Sequence, residues 1–340
     1  MDYRQAGVNI DEGNRAVKKI RDAVGDTSIA GVLGGIGGFG GLFHVGSAGF
    51  EDPVLVSSVD GVGTKLLVAR AVGSFASVGA DIVNHCVNDI LVQGARPLFF
   101  MDYVAMGRLD ADAVAAVVEG MGGACREVGC ALLGGETAEM PGLYRDGDVE
   151  IVGSIVGAVE RGALLDGSRI RPGDVAIGLS SSGLHTNGYS LARAVLLDST
   201  GDETRVESPA WPGGPTLGEA LLAPHRSYLR SVEAALGRGE VHGLAHITGG
   251  GLLENIPRVL PEGSACEIQR EAWAVPPLFQ RIAKEGQVAE REMFRTFNMG
   301  VGMVVFCDEA AADGVRHDAG AYDLGIIGRV IEGGRDVRVI

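Results

Sequence analysis

Hydrophobic and polar positions along the chain follow two periods, and each period predicts one kind of element. In residues 10–24, Ala16, Val17, Ile20 and Val24 recur at helical spacing, which favours an amphipathic helix. Short apolar runs between turn-forming residues, such as VLVSSV at 54–59, favour buried strands. The same reasoning predicts helices at 77–94, from Asp110 as N-cap to 128, at 189–197 and at 228–236, and strands at 99–105, 131–133, 151–159, 175–179, 301–306 and 324–331.

The alternation of strands and helices predicts an α/β (α+β) fold in two domains. The alternation breaks into turn-forming residues at 167–174, GSRIRPGD, and a second series of strands and helices begins directly after it. We therefore predict an N-terminal domain at 1–169 and a C-terminal domain at 170–340. A length of 340 residues agrees with two domains.

Composition limits the class of protein. Hydrophobic residues make up 46% of the chain, yet no apolar run approaches the length of about 18 residues that a membrane helix needs. A formal net charge of −15 argues against nonspecific nucleic-acid binding. The odd count of cysteines and the absence of CxxC favour a reducing cytoplasm without disulfides or structural zinc. The five cysteines are Cys86, Cys125, Cys130, Cys266 and Cys307.

Glycine is the unusual component: the chain has 54 glycines, clustered between apolar segments. Because glycine lets a ligand approach the backbone closely, the clusters suggest binding by main-chain N–H groups. Gly35, Gly37 and Gly40 match the dinucleotide pattern GxGxxG, but no strand precedes them, so that interpretation is weak. A glycine-rich flap at 31–49 that folds over phosphates is favoured, and a mobile surface loop is the alternative.

Acidic residues follow predicted strands at two places, where α/β sheets bind ligands. Asp60 ends the strand before DGVGTK, which contains Lys65, and Glu136 follows LLGG. On the predicted helix 77–94, Asp89 shares a polar stripe with Asp81 and His85, and we interpret His85 as structural. Two facing carboxylates favour a divalent cation, and Mg²⁺ binds in proteins through one or two carboxylates plus substrate phosphates. A helix cap at Asp60 and an internal hydrogen-bond network are the alternatives.

The C-terminal half contains two further glycine loops at predicted helix starts. SSSGLHTNG holds His185 and Asn187, and HITGGG holds Thr248, Gly249, Gly250 and Gly251. Free N–H groups at a helix start favour an anion such as phosphate. The Ser/His pair does not predict a hydrolase, because GxSxG is absent.

Taken in order, these stretches resemble the phosphoribosylformylglycinamidine cyclo-ligase family, also called aminoimidazole ribonucleotide synthetases. The resemblance covers nearly the whole chain, and GGETAEMPG and HITGGGLLENIPRVLP are its most specific motifs. The other matching segments are QAGVNIDEGN, GGIGGFGGLF, DGVGTKL, VNDILVQGARPLFFMDY, SSGLHTNGYSL, LLAPHRSY and FRTFNMGVGM.

The resemblance implies a homodimer in which the N-terminal sheets of two subunits join into a barrel, and a C-terminal α/β sandwich-like domain. It also implies an ATP- and Mg²⁺-dependent ring closure in cytoplasmic purine biosynthesis, through an iminophosphate. The N-terminal domain would bind ATP and metal, and the C-terminal domain would lie on the substrate side.

Residue by residue, the resemblance implies four sets. The implied catalytic residues are Lys65 and His185, and the implied metal ligands are Asp60, Asp89 and Glu136. The implied ATP- or phosphate-binding residues are Gly35, Gly37, Gly38, Gly40, Asp60, Gly61, Gly63, Thr64, Gly134 and Gly135. The implied substrate-binding residues are Asn187, Thr248, Gly249, Gly250 and Gly251. His185 is left open between proton transfer and substrate orientation.

Rival interpretations remain open at this point. Selenophosphate synthetase, a relative, needs a reactive cysteine or selenocysteine near its N-terminus, and here no cysteine precedes Cys86. Thiamine-monophosphate kinase lacks the two specific motifs. A nucleotide-binding regulator without turnover is the rival outside the enzymes, and a dehydrogenase is a third reading.

Overall fold

The computed structural model describes residues 9–34, 40–197 and 203–340. They form two compact units, one made of residues up to 90 together with 96–160, and the other of 91–95 together with 161–340. No helix in these described ranges is both long enough and apolar enough to cross a membrane. All five cysteines are buried and free, which confirms the prediction of no disulfide.

The elements are numbered in chain order. The helices are α1 Ile10–Gly25, α2 Lys65–Val72, α3 Ala76–Leu91, α4 Ala111–Val128, α5 Tyr189–Leu196, α6 Leu217–Leu221, α7 Leu229–Gly237, α8 Gly251–Asn255, α9 Pro277–Glu285, α10 Glu290–Thr296 and α11 Ala312–Ala319. The strands are β1 Pro53–Gly61, β2 Arg96–Met106, β3 Ala131–Glu139, β4 Val149–Glu160, β5 Val175–Ser180, β6 Val241–His246, β7 Ser264–Ile268, β8 Val301–Cys307, β9 Asp323–Glu332 and β10 Val337–Val339.

The N-terminal unit is a four-stranded sheet in the order β1-β4-β2-β3. β4 pairs antiparallel with β1 and with β2, and β3 pairs parallel with β2. Helix α4 connects the parallel pair, and Asp110 caps its first turn by accepting hydrogen bonds from the N–H groups of Asp112 and Ala113, as predicted. The helices cover one face of this sheet.

Glycines set how closely the helices approach. A Cβ on Gly153 in β4 would lie 2.7 Å from Ile82 of α3 and 2.3 Å from Phe100 of β2. A Cβ on Gly79 of α3 would lie 1.9 Å from the carbonyl oxygen of Val117 in α4. Both distances are far inside van der Waals contact, so α3 can pack against β4 and α4 only because these side chains are absent.

The other face of the four-stranded sheet, the open face, exposes apolar side chains on adjacent strands, although Phe43 packs against Phe99 at one part of it. Leu55 is 56% exposed and Val59 is 65% exposed, while Val56 between them is buried. Val59 pairs with Ser154, which in turn pairs with Met101 of β2, so one row of the open face runs across three strands. The predicted strand at 54–59 is confirmed, but its predicted burial holds for one side only, because only alternate residues of β1 face the helices.

The C-terminal unit contains a six-stranded sheet in the order β10-β7-β9-β5-β8-β6. Within the described part of this sheet, β10 pairs parallel with β7, and the other neighbours pair antiparallel. Helices α5 to α11 belong to this unit. The two sheets and their helices confirm the predicted mixed α/β class, whereas the functional division at residue 169 stays a prediction.

Candidate functional site

Two carboxylates of the N-terminal unit converge on one histidine. Asp60 lies near the end of β1, and His85 and Asp89 lie one turn apart on α3. His85 Nε2 lies 2.9 Å from Asp60 Oδ2 and 3.7 Å from Asp89 Oδ2. The Ser58 hydroxyl donates to Asp89 Oδ2 at 2.9 Å, which fixes the second carboxylate against β1. The predicted polar stripe of α3 thus faces the strand that carries Asp60.

The charges in this cluster support one another. Burial works against ionisation of Asp60, but the hydrogen bond and charge of His85 hold the pKa of Asp60 below its usual value. Burial also works against the imidazolium, but the hydrogen bond that His85 donates to Asp60 and the charge of Asp89 raise the pKa of His85. The two carboxylates therefore favour the cationic form of His85, and this contact between the helix and the strand agrees with the structural role predicted for His85.

Lys65 forms its ion pair with Asp81 and not with Asp60 or Asp89. Its side chain has no exposed surface, and Nζ lies 2.6 Å from Asp81 Oδ2, which is equally buried. Burial lowers the pKa of Lys65, and the charge of Asp81 opposes that effect. In this geometry Lys65 ties the first turn of α2 to α3, and its predicted action on a triphosphate stays a prediction.

The turn after Asp60 has the backbone that its glycines permit. The Gly61 N–H donates to Asp60 Oδ1 at 2.6 Å, and Gly63 takes a positive φ of 68° just before Thr64 and helix α2. Of the predicted flap glycines, Gly40 is exposed, and Gly35, Gly37 and Gly38 lie outside the described residues.

The second acidic motif borders a cavity of about 420 Å³ between α1, β2 and β3. Gly134, Gly135 and Glu136 line it, together with Asp102 of β2. A Cβ on Gly135 would lie 2.5 Å from Asp102 Oδ2, so this glycine leaves room for the carboxyl group. Burial raises the pKa of Asp102 to about 7. Membership of Glu136 in the cation site stays a prediction.

In the C-terminal unit, the loop after β5 places His185 in a buried histidine cluster. His185 takes a positive φ of 59°, and its Nε2 accepts a hydrogen bond from the Ser182 N–H at 3.2 Å. Its ring stacks on His225 with centroids 4.0 Å apart, and Nε2 of His225 lies 3.1 Å from Nε2 of His246. All three rings are buried, so His185 is part of a packed chain of imidazoles.

The Asn255 side chain fixes the backbone of the HITGGG loop. The Asn255 amide donates to the carbonyl oxygens of Thr248, Gly249 and Gly251 at 3.3, 3.1 and 2.9 Å. Gly250 and Gly251 take positive φ angles of 97° and 58°, which explains why glycine stands at both positions. Asn255 was not among the predicted site residues, although its motif, GGGLLEN, was recognised.

The structure brings the two predicted substrate loops together. A Cβ on Gly249 would lie 3.3 Å from Asn187 Oδ1, so the SSSGLHTNG and HITGGG loops meet at these residues. The side-chain nitrogen of Asn187 is buried and has no hydrogen-bond partner among the described residues. Its two amide hydrogens are therefore available to an acceptor, which fits a ligand-binding role.

Comparison with known proteins identifies the class and then the family. Residues 47–159 match the family of AIR synthase related proteins through its N-terminal domain, and residues 171–340 match its C-terminal domain. Among solved structures, the chain superposes on thiamine-monophosphate kinase from Stenotrophomonas maltophilia with a TM-score of 0.66 at 18% identity, covering 96% of this chain and 95% of that one. Escherichia coli HypE gives a TM-score of 0.68 at 16% identity, covering 96% and 93%. At such identities the likeness shows the fold alone.

Closer relatives fix the family. The phosphoribosylformylglycinamidine cyclo-ligase of Alkaliphilus metalliredigens is 46% identical over 338 residues, covering 98% of this chain and 96% of that protein. The protein of the same name from Desulfitobacterium hafniense is 53% identical over 303 residues, covering 89% and 88%. The chain belongs to the phosphoribosylformylglycinamidine cyclo-ligase family of enzymes, which confirms the resemblance drawn from its motifs.

Proposed function

We propose that this enzyme closes the imidazole ring of formylglycinamidine ribonucleotide, in de novo purine biosynthesis in the cytoplasm. ATP is consumed, and aminoimidazole ribonucleotide, ADP and phosphate are released. The observation that carries the proposal is the convergence of Asp60 and Asp89 on His85 beside the glycine turn, in a chain whose relatives bear the cyclo-ligase name. A solved HypE structure in complex with ATP has the same fold, with a TM-score of 0.59.

The chemistry divides into activation and closure. The amide oxygen of the substrate is a poor leaving group, and transfer of the γ-phosphoryl group to it gives an iminophosphate. The neighbouring amidine nitrogen then attacks the same carbon, the ring closes and phosphate departs. Such a reaction needs positioned groups and charge stabilisation more than covalent catalysis by the protein.

The acid pair fits a magnesium ion. Asp60 and Asp89 are partly exposed carboxylates that approach the same imidazole of His85, whose proton a bound dication would displace, and the lowered pKa of Asp60 keeps that carboxylate ionised at neutral pH. Hard oxygen donors of this kind are what Mg²⁺ prefers. When bound, the ion would neutralise charge on the triphosphate. The turn at Gly63, before helix α2, would then offer main-chain N–H groups to the phosphates.

The loops of the C-terminal unit would bind the other substrate. Asn187 and the backbone of Thr248–Gly251, which Asn255 holds in place, suit the ribose 5-phosphate and its neighbouring polar groups. We expect His185 to orient the substrate loop rather than to transfer a proton, because its Nε2 already accepts the Ser182 N–H.

The decisive assay incubates the full chain with ATP, Mg²⁺ and formylglycinamidine ribonucleotide, and measures ADP and aminoimidazole ribonucleotide together. We expect the two products in equal amounts, with ADP release dependent on the amidine. Asp89→Asn should keep the fold and reduce turnover by about 10²–10³, the effect of losing one preorganised electrostatic group. Turnover of Asp89→Asn within a few-fold of wild type would refute the metal role.

Control substrates separate the rival functions. Thiamine monophosphate in place of the amidine tests the kinase activity that one structural neighbour's name describes. Binding of ATP without any product would favour the regulator, and binding of NADH would favour a dehydrogenase.

We also propose a homodimer formed through the open face of the N-terminal sheet. Leu55, Val59 and Met101 expose apolar surface on adjacent strands, and a second copy of the face would cover it. Val59→Asp should convert the dimer to a monomer in analytical ultracentrifugation, while Glu51→Gln, an exposed substitution just before β1, should not. A wild-type monomer at micromolar concentration would contradict this proposal.

A further inference from the structure

Three chemically active side chains meet at the end of the C-terminal sheet that lies away from the glycine loops. Strand β8 lies between β5 and β6 and runs antiparallel to both, with Cys307 opposite Val175 and Val241. Asp174 comes just before β5, His242 is the second residue of β6, and Asp308 follows β8. Topology alone therefore brings an aspartate, a histidine and a second aspartate to one place.

The contacts form a chain from the interior to the surface. Asp174 Oδ2 lies 2.8 Å from His242 Nδ1, and His242 Nε2 lies 3.6 Å from Asp308 Oδ2. Asp174 is 1% exposed, His242 is 7% exposed, and the side chain of Asp308 is 49% exposed. One potential ligand atom of each residue lies within 4.8 Å of the others.

The inner carboxylate is incompletely satisfied. Asp174 Oδ2 accepts hydrogen bonds from the Arg171 N–H at 3.0 Å and from His242. Asp174 Oδ1 is buried and has no hydrogen-bond partner among the described residues. Nε of Arg171, on an exposed side chain, lies 3.8 Å from Asp174 Oδ1. A buried carboxylate with one oxygen unpaired is costly unless a further positive charge compensates it.

We propose that His242 and Asp308, supported by Asp174, bind one divalent transition-metal ion, and that Zn²⁺ is its best match. Asp174 faces Nδ1 of His242 while Nε2 of the same ring faces Asp308, which is the carboxylate–histidine–metal arrangement of many metal sites. Two bonds of about 2.0 Å at a tetrahedral angle place their ligand atoms roughly 3.3 Å apart. The observed 3.6 Å between Nε2 and Oδ2 needs only a small adjustment.

The donor set selects the ion. One imidazole nitrogen with carboxylate oxygen suits Zn²⁺ and its neighbours in the first transition series, whereas Ca²⁺ and Mg²⁺ favour sites made of oxygen alone. Water completes the coordination on the exposed side of Asp308. The ion joins the ends of β6 and β8 and, through Asp174, the start of β5, so its role is to stabilise the C-terminal unit.

The Arg171 guanidinium competes with the metal ion for the Asp308 carboxylate. Its Nη2 lies 2.5 Å from Asp308 Oδ1, while Oδ2 of that carboxylate faces His242. A guanidinium this close disfavours a dication. Removal of the Arg171 charge should therefore tighten metal binding. If the cluster were only a network of ion pairs, the same removal would instead weaken the cluster.

The site is separate from the proposed reaction. Ser180, where the substrate loop begins, is at the other end of β5, and a six-residue strand is roughly 17–20 Å long. Metal binding at this site can therefore be tested independently of the cyclo-ligase activity.

The test uses the full chain after treatment with a chelator and desalting, with Zn²⁺ alone as the probe. Equilibrium dialysis with metal analysis gives the stoichiometry, and thermal unfolding gives the stabilisation. All chains carry Asp89→Asn, so that the N-terminal acid pair contributes little. We expect one Zn²⁺ per chain and a rise in Tm of at least about 2 °C, with Mg²⁺ in large excess failing to displace the ion.

The variants decide the outcome. Asp308→Asn and His242→Gln should each abolish the bound Zn²⁺ and the rise in Tm, and Arg171→Ala should tighten binding by at least about threefold. If His242→Gln fails to fold, Asp308→Asn still decides the outcome, because the side chain of Asp308 is exposed. For each protein, the rise in Tm is measured against the same protein without metal. Zn²⁺ binding that is unchanged in Asp308→Asn, or that is weakened in Arg171→Ala, overturns the proposal.

Discussion

The replacement Asp81→Asn tests whether Lys65 is a structural cation. Lys65 and Asp81 both have no exposed surface, and their charged atoms are 2.6 Å apart. The replacement keeps the size of the side chain, removes its charge and exchanges one oxygen acceptor for an NH₂ donor. The ammonium group of Lys65 then remains buried without its counter-ion, while the helices α2 and α3 keep their apolar contacts.

The magnitude follows from the distance and the burial. With an effective dielectric constant of about 20, two unit charges 2.6 Å apart attract by about 6 kcal/mol. The cost of removing both from water offsets part of this, and breaking one buried pair typically costs about 3–5 kcal/mol. For a unit of this size such a loss lowers Tm by about 10 °C.

The assay is urea and thermal unfolding followed by circular dichroism, with the transitions of the two units fitted separately. Asp81→Asn should lose about 3–5 kcal/mol, and Lys65→Met with Asp81→Leu should recover most of it, because an apolar pair leaves no buried charge. The Asp81→Asn deficit should shrink as pH rises. Burial already lowers the pKa of Lys65, removal of Asp81 lowers it further, and the neutral amine needs no counter-ion.

Two results would refute this reasoning. A loss below about 1 kcal/mol for Asp81→Asn would mean that water or another anion reaches Lys65. A double variant no more stable than Asp81→Asn would mean that packing, and not the charge, sets the loss. If the double variant folds and still turns over, Lys65 does not act on the triphosphate.

Three further predictions concern the sites. Asn255→Ala should raise the KM for the amidine nucleotide by at least about tenfold and leave the KM for ATP unchanged, because the Asn255 amide holds the HITGGG loop. His185→Ala should weaken substrate binding without changing the pH profile of kcat, and a lost ionisation would assign proton transfer to it instead. Burial raises the pKa of Asp102 to about 7, so the folded state binds a proton that the unfolded state releases, and the free energy of unfolding falls as pH rises from about 4 to 7. Asp102→Asn should remove this pH dependence and stabilise the protein by about 1–2 kcal/mol at pH 8. A pH dependence that is unchanged in Asp102→Asn would contradict this prediction.

The sequence predicted the parts of the fold that local pattern controls. Helix α1, the Asp110 cap and strand β5 were predicted within a few residues, because apolar spacing and turn residues mark them directly. Strand β6, VHGLAH, was not predicted, since two histidines and a glycine interrupt its apolar run although the structure buries all six residues. Burial in a central position of a sheet is a tertiary property that local pattern does not contain.

The candidate site was predictable as a set of residues but not as a set of contacts. The stripe of Asp81, His85 and Asp89 follows from helical spacing alone. Which members meet Asp60 and which meets Lys65 depends on how α3 lies on the sheet. Spacing cannot distinguish a carboxylate that neutralises a buried lysine from one that is open to a ligand, because both lie on one face of the same helix.

Gly153 allows helix α3, which carries Asp89, to lie close to the strand that carries Asp60. It pairs with Asp60 across β1 and β4, and a Cβ there would lie 2.7 Å from Ile82, one turn before His85 on α3. With a methyl group there, the side chains of Ile82 and Phe100, or the helix itself, would have to move by about 1 Å to restore ordinary contact. Displacements of that size can cost an enzyme a hundredfold in rate. A residue with no functional group thus helps to set the separation of the two carboxylates, and we expect Gly153→Ala to impair catalysis without contact to any reactant.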